Sequence, residues 1–395
     1  MSYEPGAPTP QGFIPLSVPE IRGNEWKYIK ECLDTGWVST AGHYVERFEE
    51  SIAEYVAAKY TVAVVNGTAA LHIALLVAGI QPNDEVIVPA LTFVAPANAV
   101  RYANAYPIFV DVEPDYWQLD VQKLADFLEK ECRTENRYLT NSHTERRVRA
   151  ILPVSVLGHP VDIDPIMDLA HQYDLVVIED ATESLGATYK GHRIGKLADI
   201  SCFSFNGNKV ITTGGGGMIA TENESWAKKA RYLTRQAKDD PLEYIHNEIG
   251  YNYRLTNIAA ALGCAQVELL DEFVAAKRRI AATYISAFPG LLGVHPMQQA
   301  PWAESIFWMF TMLIDETKYG MDSRALLHKL EMAQIQSRPL WHPIHSLLPF
   351  ANCFVYKVET ANWLYQHALS LPCSVGLTQA DQQRVIDVIC DLPNY

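Results

Sequence analysis

Three short stretches carry side chains whose type and spacing could do chemistry. In residues 200–221, ISCFSFNGNKVITTGGGGMIAT, Lys209 stands between an Asn206-Gly207 pair and a run of four glycines. Backbone without Cβ atoms lets a ligand approach closely, and a lysine amine that has lost its proton can attack a carbonyl. The plain alternative is a β-hairpin, since Asn-Gly between two apolar runs is the commonest tight-turn signal. Lys209 would then be a solvated edge lysine. In the second stretch, residues 61–65 (TVAVV) meet Asn66-Gly67-Thr68, and AALHIALLVAGI follows at helical spacing. A strand, a small-residue turn and a helix N-terminus make an anion site, because free N–H groups and the helix dipole both favour phosphate. A side-chain cap from Asn66 or Thr68 would explain the same residues without a ligand. In the third, Asp180 closes the apolar run LVVIED at residues 175–180. It offers a carboxylate at a strand end, or only the cap of the next segment.

The surrounding pattern says where these groups would lie. Residues 85–89 (EVIVP), 106–112 (YPIFVDV), 149–156 (RAILPVSV), 175–180 and 200–205 are short apolar strand-like runs, with helical stretches such as 163–173 between them. Strands alternating with helices predict an α/β fold with a mostly parallel central sheet covered on both faces. Ligands in such sheets sit beyond the carboxyl ends of the strands. Asn66-Gly67-Thr68, Asp180 and Lys209 all fall there, and that convergence outweighs any one motif.

Helical spacing also covers residues 21–36, closing on Gly36, and 48–59. Residues 130–147 are polar enough for an exposed insertion. From residue 262 one long helix, GCAQVELLDEFVAAKRRIAATYISAF, is expected to lead into a smaller α+β domain. That domain would hold the apolar run 307–314, a helix at 323–332, the segment SRPLWHPIH and a last helix at 378–391. The expected division is a Pro/Gly-rich flexible arm at 1–12, a large domain at 13–262, and a linking helix with a small C-terminal domain at 263–395.

Composition narrows the function classes. The chain has 395 residues, 49% hydrophobic and 20% charged, which describes a soluble globular protein with a substantial core. A formal net charge of -14 argues against nucleic acid as a partner. Seven scattered cysteines without a CxxC pair fit a reduced cytoplasmic protein better than a disulfide or zinc framework, and no metal site is expected. No apolar run reaches about 18 residues and no leader is evident, so no membrane partner is expected. The sequence holds no GxxxxGK[ST], HExxH or GxSxG.

A lysine on a glycine-flanked loop, a carboxylate closing a buried strand and a phosphate-binding helix N-terminus are together what pyridoxal 5'-phosphate requires. At this point the chain resembles the DegT/DnrJ/EryC1/StrS family of sugar-nucleotide aminotransferases. The resemblance rests on NGTAAL (66–71), VPALTFVAPANAV (88–100), IEDATESLG (178–186), SFNGNKVITTGGGG (204–217) and GYNYRLTNIAAALG (250–263). It implies the fold type I architecture of pyridoxal phosphate enzymes. By the same resemblance Lys209 would be the Schiff-base lysine, Ser204, Gly67 and Thr68 would contact the phosphate, Asp180 would pair with the pyridine nitrogen, and Phe93 would cover one ring face. Asn252 and Arg254 would reach the cofactor of a neighbouring subunit, which implies a homodimer with shared sites. Trp37, Ser39, Arg338 and His345 match substrate-side positions.

Two positions depart from the usual family pattern. Glu183 stands where a glutamine is common, and Gly215 replaces a glutamate. An ionised Glu183 only accepts hydrogen bonds, so donation to the cofactor would need a protonated carboxyl. These variants, with SFNGNK, resemble the branch that acts at C4 of UDP-linked N-acetylated 4-keto-6-deoxyhexoses, as in bacillosamine or legionaminic-type pathways. The expected partners are therefore a nucleotide-linked keto sugar and L-glutamate, released as 2-oxoglutarate. The alternatives are a C3 aminotransferase of a dTDP-3-keto-6-deoxyhexose, a sugar dehydratase of the same fold, and a non-catalytic regulatory relative. Dehydratases of this type carry histidine at the lysine position, so Lys209 speaks against them.

Overall fold

A computed structural model describes residues 12–135 and 138–391. The expected arm lies outside the described residues except for Gly12. Eight strands form the main sheet: β1 (Tyr60–Val64), β2 (Glu85–Pro89), β3 (Tyr106–Val110), β4 (Val148–Ile151), β5 (Val176–Asp180), β6 (Ile200–Ser204), β7 (Gly217–Thr221) and β8 (Phe354–Tyr356). Their order is β1-β7-β6-β5-β4-β2-β3-β8. Neighbours from β6 to β8 are parallel, whereas β7 runs antiparallel to both β1 and β6. Strands β2, β5 and β7 are buried at every position, which is why they read as continuous apolar runs instead of alternating ones.

Pleating separates the two adjacent acids of β5. Glu179 is buried between the hydroxyls of Ser155 and Ser201, which donate to its two carboxylate oxygens at 2.8 and 2.9 Å. Asp180, next along, therefore projects to the opposite face. Its backbone N–H donates to the Pro153 carbonyl at 2.9 Å, fixing the strand end against the neighbouring loop.

The hairpin alternative for residues 200–221 needs correcting. Strands β6 and β7 do pair antiparallel, with Ser204 opposite Gly217, but the connection is a long loop and not a two-residue turn. Lys209 closes a small turn inside that loop, donating its N–H to the Asn206 carbonyl at 3.0 Å. The Phe205 N–H donates to Gly216 and the Thr213 N–H to Phe205, so the loop base is laced shut. Gly217 has to be glycine: a Cβ there would fall 2.5 Å from the Asn66 carbonyl carbon.

The single long helix expected from residue 262 is two helices, Asn257–Val267 and Leu270–Ala287. The break has a polar cause. Glu268, at the joint, accepts from Tyr28 Oη at 2.6 Å, from Arg47 at 3.0 Å and from Asn24 at 2.7 Å, which ties it to the helices Glu25–Thr35 and His43–Val56. The first half packs on those two helices, while the second turns away toward the C-terminal segment. The expected exposed insertion at 130–147 contains a two-stranded hairpin, Cys132–Glu135 with Tyr138–Asn141, and Asn141 is buried with its amide donating to Glu85 at 3.0 Å.

A second sheet has the order Val294–Pro296, Phe310–Ile314, Ala368–Leu371, Arg338–Pro339, all antiparallel. The helices Ser323–Met332 and Gln379–Cys390 accompany it, each begun by a side-chain cap, from Asp322 and Thr378. Between these elements the chain sends β8 back to pair with β3 at the far edge of the main sheet.

Candidate active site

Beyond the carboxyl ends of β1, β5 and β6 lies a cavity of about 300 Å³. Asn66, Gly67, Thr68, Phe93, Thr182, Glu183, Ser204, Asn208, Lys209, Trp308 and Trp341 contribute to its wall. Asn66 lies two residues beyond β1 and caps the helix Gly67–Val77, its side chain accepting from the Ala69 N–H at 2.7 Å. That leaves the Gly67 and Thr68 N–H groups in a first helical turn, where the helix itself supplies no acceptor. A Cβ on Gly67 would lie 2.8 Å from Ser204 Cβ, so the helix N-terminus presses on the serine at the end of β6. N–H groups, a hydroxyl and a helix dipole converge on one spot fitted for a phosphate.

Lys209 points into the same space. Its Nζ lies 3.6 Å from Glu183 Oε1 and 4.0 Å from the centre of the Trp308 ring. Trp308 is fixed in turn: its indole N–H donates to the Asn208 carbonyl at 2.7 Å, and its own carbonyl accepts from the buried Lys277 ammonium at 2.9 Å. Glu183 is 5% exposed, and its Oε2 accepts the Leu157 N–H at 2.8 Å. Burial pushes the Glu183 carboxyl up to about 7, with the Lys209 charge pulling back. Asp180 sits behind the cavity, 3% exposed, with Oδ1 accepting the Thr182 N–H at 3.0 Å. Burial raises its carboxyl as well, against that hydrogen bonding and the Lys209 charge.

The structure thus brings together Gly67, Thr68, Phe93, Glu183, Ser204 and Lys209, with Asp180 adjoining. Asn252 and Arg254 lie elsewhere. With Thr40, Lys228, Arg231, Arg235 and Lys238 they line a separate basic pocket of about 550 Å³. Arg254 Nε is buried there without a hydrogen-bond partner, and burial beside Arg254 and Arg231 depresses the Arg235 guanidinium. Trp37, Ser39, Arg338 and His345 do not line the Lys209 cavity. Trp37 is an exposed aromatic, Arg338 is exposed on the short strand of the second sheet, and His345 occupies a turn whose Ile344 N–H donates to Ala90 at 3.0 Å.

Trp308, Trp341, Asn208 and Thr182 belong to the cavity but were not anticipated from sequence. Trp308 lay in an apolar run, FWMFTMLI, that reads as a strand, and nothing local marks it as facing a site. Asn257 was also missed. Its side-chain NH2 donates to the Trp37 carbonyl at 2.7 Å, its side-chain oxygen accepts the Tyr44 N–H at 3.0 Å, and its backbone N–H donates to Ser39 at 2.6 Å. One buried amide therefore pins the whole Trp37–Ser39 loop. Asn257→Ala keeps the backbone bond to Ser39 but should cost about 1–3 kcal/mol of stability by leaving the Trp37 carbonyl and the Tyr44 N–H unpaired. If that loop meets the sugar substrate, the variant should raise KM for the sugar more than KM for glutamate in steady-state assays.

With this geometry in view, the comparisons with known proteins are direct. The fold is that of the pyridoxal phosphate-dependent aminotransferases. DesV from S. venezuelae, solved in complex with a ketimine intermediate, superposes with a TM-score of 0.82 at 29% identity, covering 93% of each chain. DesI, solved with its TDP-sugar product, gives 0.86 at 26% identity over 97% of this chain and 94% of that one. The chain belongs to the DegT/DnrJ/EryC1/StrS aminotransferase family, whose family model matches residues 19–390. Among curated relatives, GDP-perosamine synthase of Caulobacter vibrioides is 40% identical over 94% of this chain and 96% of its own. The putative pyridoxal phosphate-dependent aminotransferase EpsN of Bacillus subtilis is 38% identical over 96% and 95%. The protein is a pyridoxal phosphate-dependent sugar-nucleotide aminotransferase. Among the described residues no helix is long and apolar enough to cross a membrane.

Proposed function

We propose that this enzyme moves an amino group from L-glutamate to C4 of a UDP-linked 2-acetamido-2,6-dideoxy-4-ketohexose. The reading holds Lys209 to be the residue that bonds the cofactor and moves the proton between substrate and cofactor. Gly67, Thr68 and Ser204 would hold the phosphate, Phe93 would cover the ring, and Asp180 would face the ring nitrogen. When bound, pyridoxal phosphate supplies an electron sink and a carrier for the amino group. The supporting observation is the convergence of Lys209, Glu183, Ser204 and the Gly67–Thr68 helix start on one cavity. Trp37, Ser39, Arg338 and His345 are proposed for the sugar nucleotide, and the reaction is proposed to take place in the cytoplasm.

The basic pocket around Asn252 and Arg254 supports a homodimer, because Arg254 Nε is buried without a partner and no acid is among the residues lining the pocket, although two of its cations, Arg231 and Lys228, pair outside it with Glu49 and Glu224. In this reading each pocket faces the partner's cofactor phosphate.

The choice of C4 and of UDP rests on Glu183 and Gly215 within the motifs. A second reading, with a GDP-linked 4-keto sugar, is favoured by three relatives named GDP-perosamine synthase. Side-by-side amination of UDP-, GDP- and dTDP-linked 4-keto and 3-keto sugars decides. The UDP N-acetylated 4-keto sugar is expected to give the highest kcat/KM, by at least about tenfold, a difference of 1.4 kcal/mol in transition-state binding. Preference for the GDP sugar replaces the first reading with the second, and activity confined to dTDP-3-keto sugars overturns both.

A further inference from the structure

Among the described residues, the Glu183 carboxyl is the acid within ion-pair distance of the Lys209 amine. Its Oε2 is held by the Leu157 N–H, from a residue strained into the left-handed region at φ 59°. Its Oε1 faces Nζ across 3.6 Å. Both side chains are withdrawn from water, with 4% and 13% of their surface exposed. From this geometry we infer that Glu183 is the base that takes the proton from Lys209 when the enzyme captures its cofactor. The inference rests on Lys209 being the residue that bonds the cofactor and is independent of which sugar is aminated.

The surroundings set the balance. Separated charges are costly in a dry site, so a shared proton that leaves acid and amine both neutral is accessible there. Burial favours the protonated Glu183 carboxyl, as its rise to about 7 reflects, and Asp180 pushes the same way. Trp308 pulls the other way, since an aromatic face favours the ammonium. His159, two residues beyond Leu157, takes no part. Its Nδ1 donates to the Pro160 carbonyl and its Nε2 accepts from the Ala300 N–H, so it is held neutral.

The step balances as follows. Lys209 begins as an ammonium with three hydrogens and Glu183 as a carboxylate. One N–H bond breaks and an O–H bond forms on Oε1, which frees the Nζ lone pair to bond the aldehyde carbon of pyridoxal phosphate. The aldehyde oxygen departs as water with two of the three hydrogens, one of them by way of Glu183. The third hydrogen stays on the nitrogen of the new C=N bond, and Glu183 ends ionised as it began.

The test is cofactor capture by the apoenzyme, followed by stopped-flow absorbance after mixing with pyridoxal 5'-phosphate from about pH 6 to pH 10. Glu183→Gln keeps the shape and can still accept the Leu157 N–H. It should capture the cofactor at least about tenfold more slowly near pH 7.5, the low end of what a general base contributes. The gap should narrow at the alkaline end of that range, where solvent hydroxide takes over removal of the proton. Binding of pyridoxamine 5'-phosphate, which has no aldehyde, should change by less than about threefold, since it needs no proton removal. A Glu183→Gln rate equal to wild type overturns the inference. Slowing by the same factor at every pH, or with equal loss of pyridoxamine phosphate affinity, also overturns it by making Glu183 merely structural. Lys209→Ala, run in parallel, keeps the two ideas apart: covalent capture by that variant overturns the reading of Lys209 and this inference with it, whereas loss of capture in Lys209→Ala beside a wild-type rate in Glu183→Gln overturns the inference alone.

Discussion

Lys209→Ala is expected to fold as well as wild type, to lack the visible absorbance band of the lysine-bound cofactor, and to lose transamination by at least about 10³-fold. The loss is large because one side chain supplies both the covalent attachment and the moving proton, and general acid–base transfer alone contributes about 10²–10⁴. Stability should be nearly unchanged. Among the described residues Lys209 Nζ makes no close hydrogen bond; its neighbours are Glu183 at 3.6 Å and the Trp308 face at 4.0 Å. Removing a buried cation usually strands its partner, but a carboxyl already pushed up to about 7 against the Lys209 charge takes up a proton once that charge is gone. The measurements are thermal unfolding of the apo forms, an absorbance spectrum after incubation with the cofactor, and 2-oxoglutarate release from glutamate. A variant with the wild-type spectrum and turnover within tenfold of wild type would remove Lys209 from the chemistry.

Mixing two dead variants should restore activity. If each site takes Lys209 from one chain and Arg254 from the other, Lys209→Ala and Arg254→Ala homodimers are each inactive. Random reassembly of equal amounts makes half the dimers mixed, and each mixed dimer has one intact site. About a quarter of wild-type activity should return, a number fixed by the two-fold symmetry. The chain itself motivates the experiment. Arg254 Nε is buried without a partner in a pocket separate from Lys209, yet its backbone neighbour Tyr253 accepts the Val65 N–H at 2.9 Å, one residue before the Asn66 cap. A mixture that stays as inactive as its parts would mean that each site is complete within one chain.

The parts of this enzyme legible in its sequence are those where one local pattern has one physical consequence. TVAVV followed by Asn-Gly-Thr had to be a buried strand delivering a helix N-terminus, and LVVIED had to bring Asp180 to a strand end. Strand order and helix alternation then put both beside Lys209. What stayed hidden depends on partners distant in sequence. Apolar spacing continues unbroken through residues 257–287, so nothing local marks the joint that Glu268 makes by reaching Tyr28, Arg47 and Asn24. Trp308 reads as one more apolar residue until Asn208 and Lys277 are seen to hold it against Lys209. The Asn-Gly pair misled because a turn signal says the chain bends there, not how long the loop around it is. Asn257, a polar residue just inside a helix start, carries no mark that its amide secures a loop more than two hundred positions earlier.

The return of residues 354–356 to the main sheet has a consequence during synthesis. Strand β3 is buried at four of its five positions and finds its outer neighbour only in β8. While the ribosome is still adding the intervening stretch, β3 is an apolar edge with open hydrogen-bonding groups, the kind of surface that recruits other nascent chains. Truncations before residue 354 should therefore collect as inclusion bodies, and the yield of intact protein should depend on how quickly translation carries the ribosome past that point.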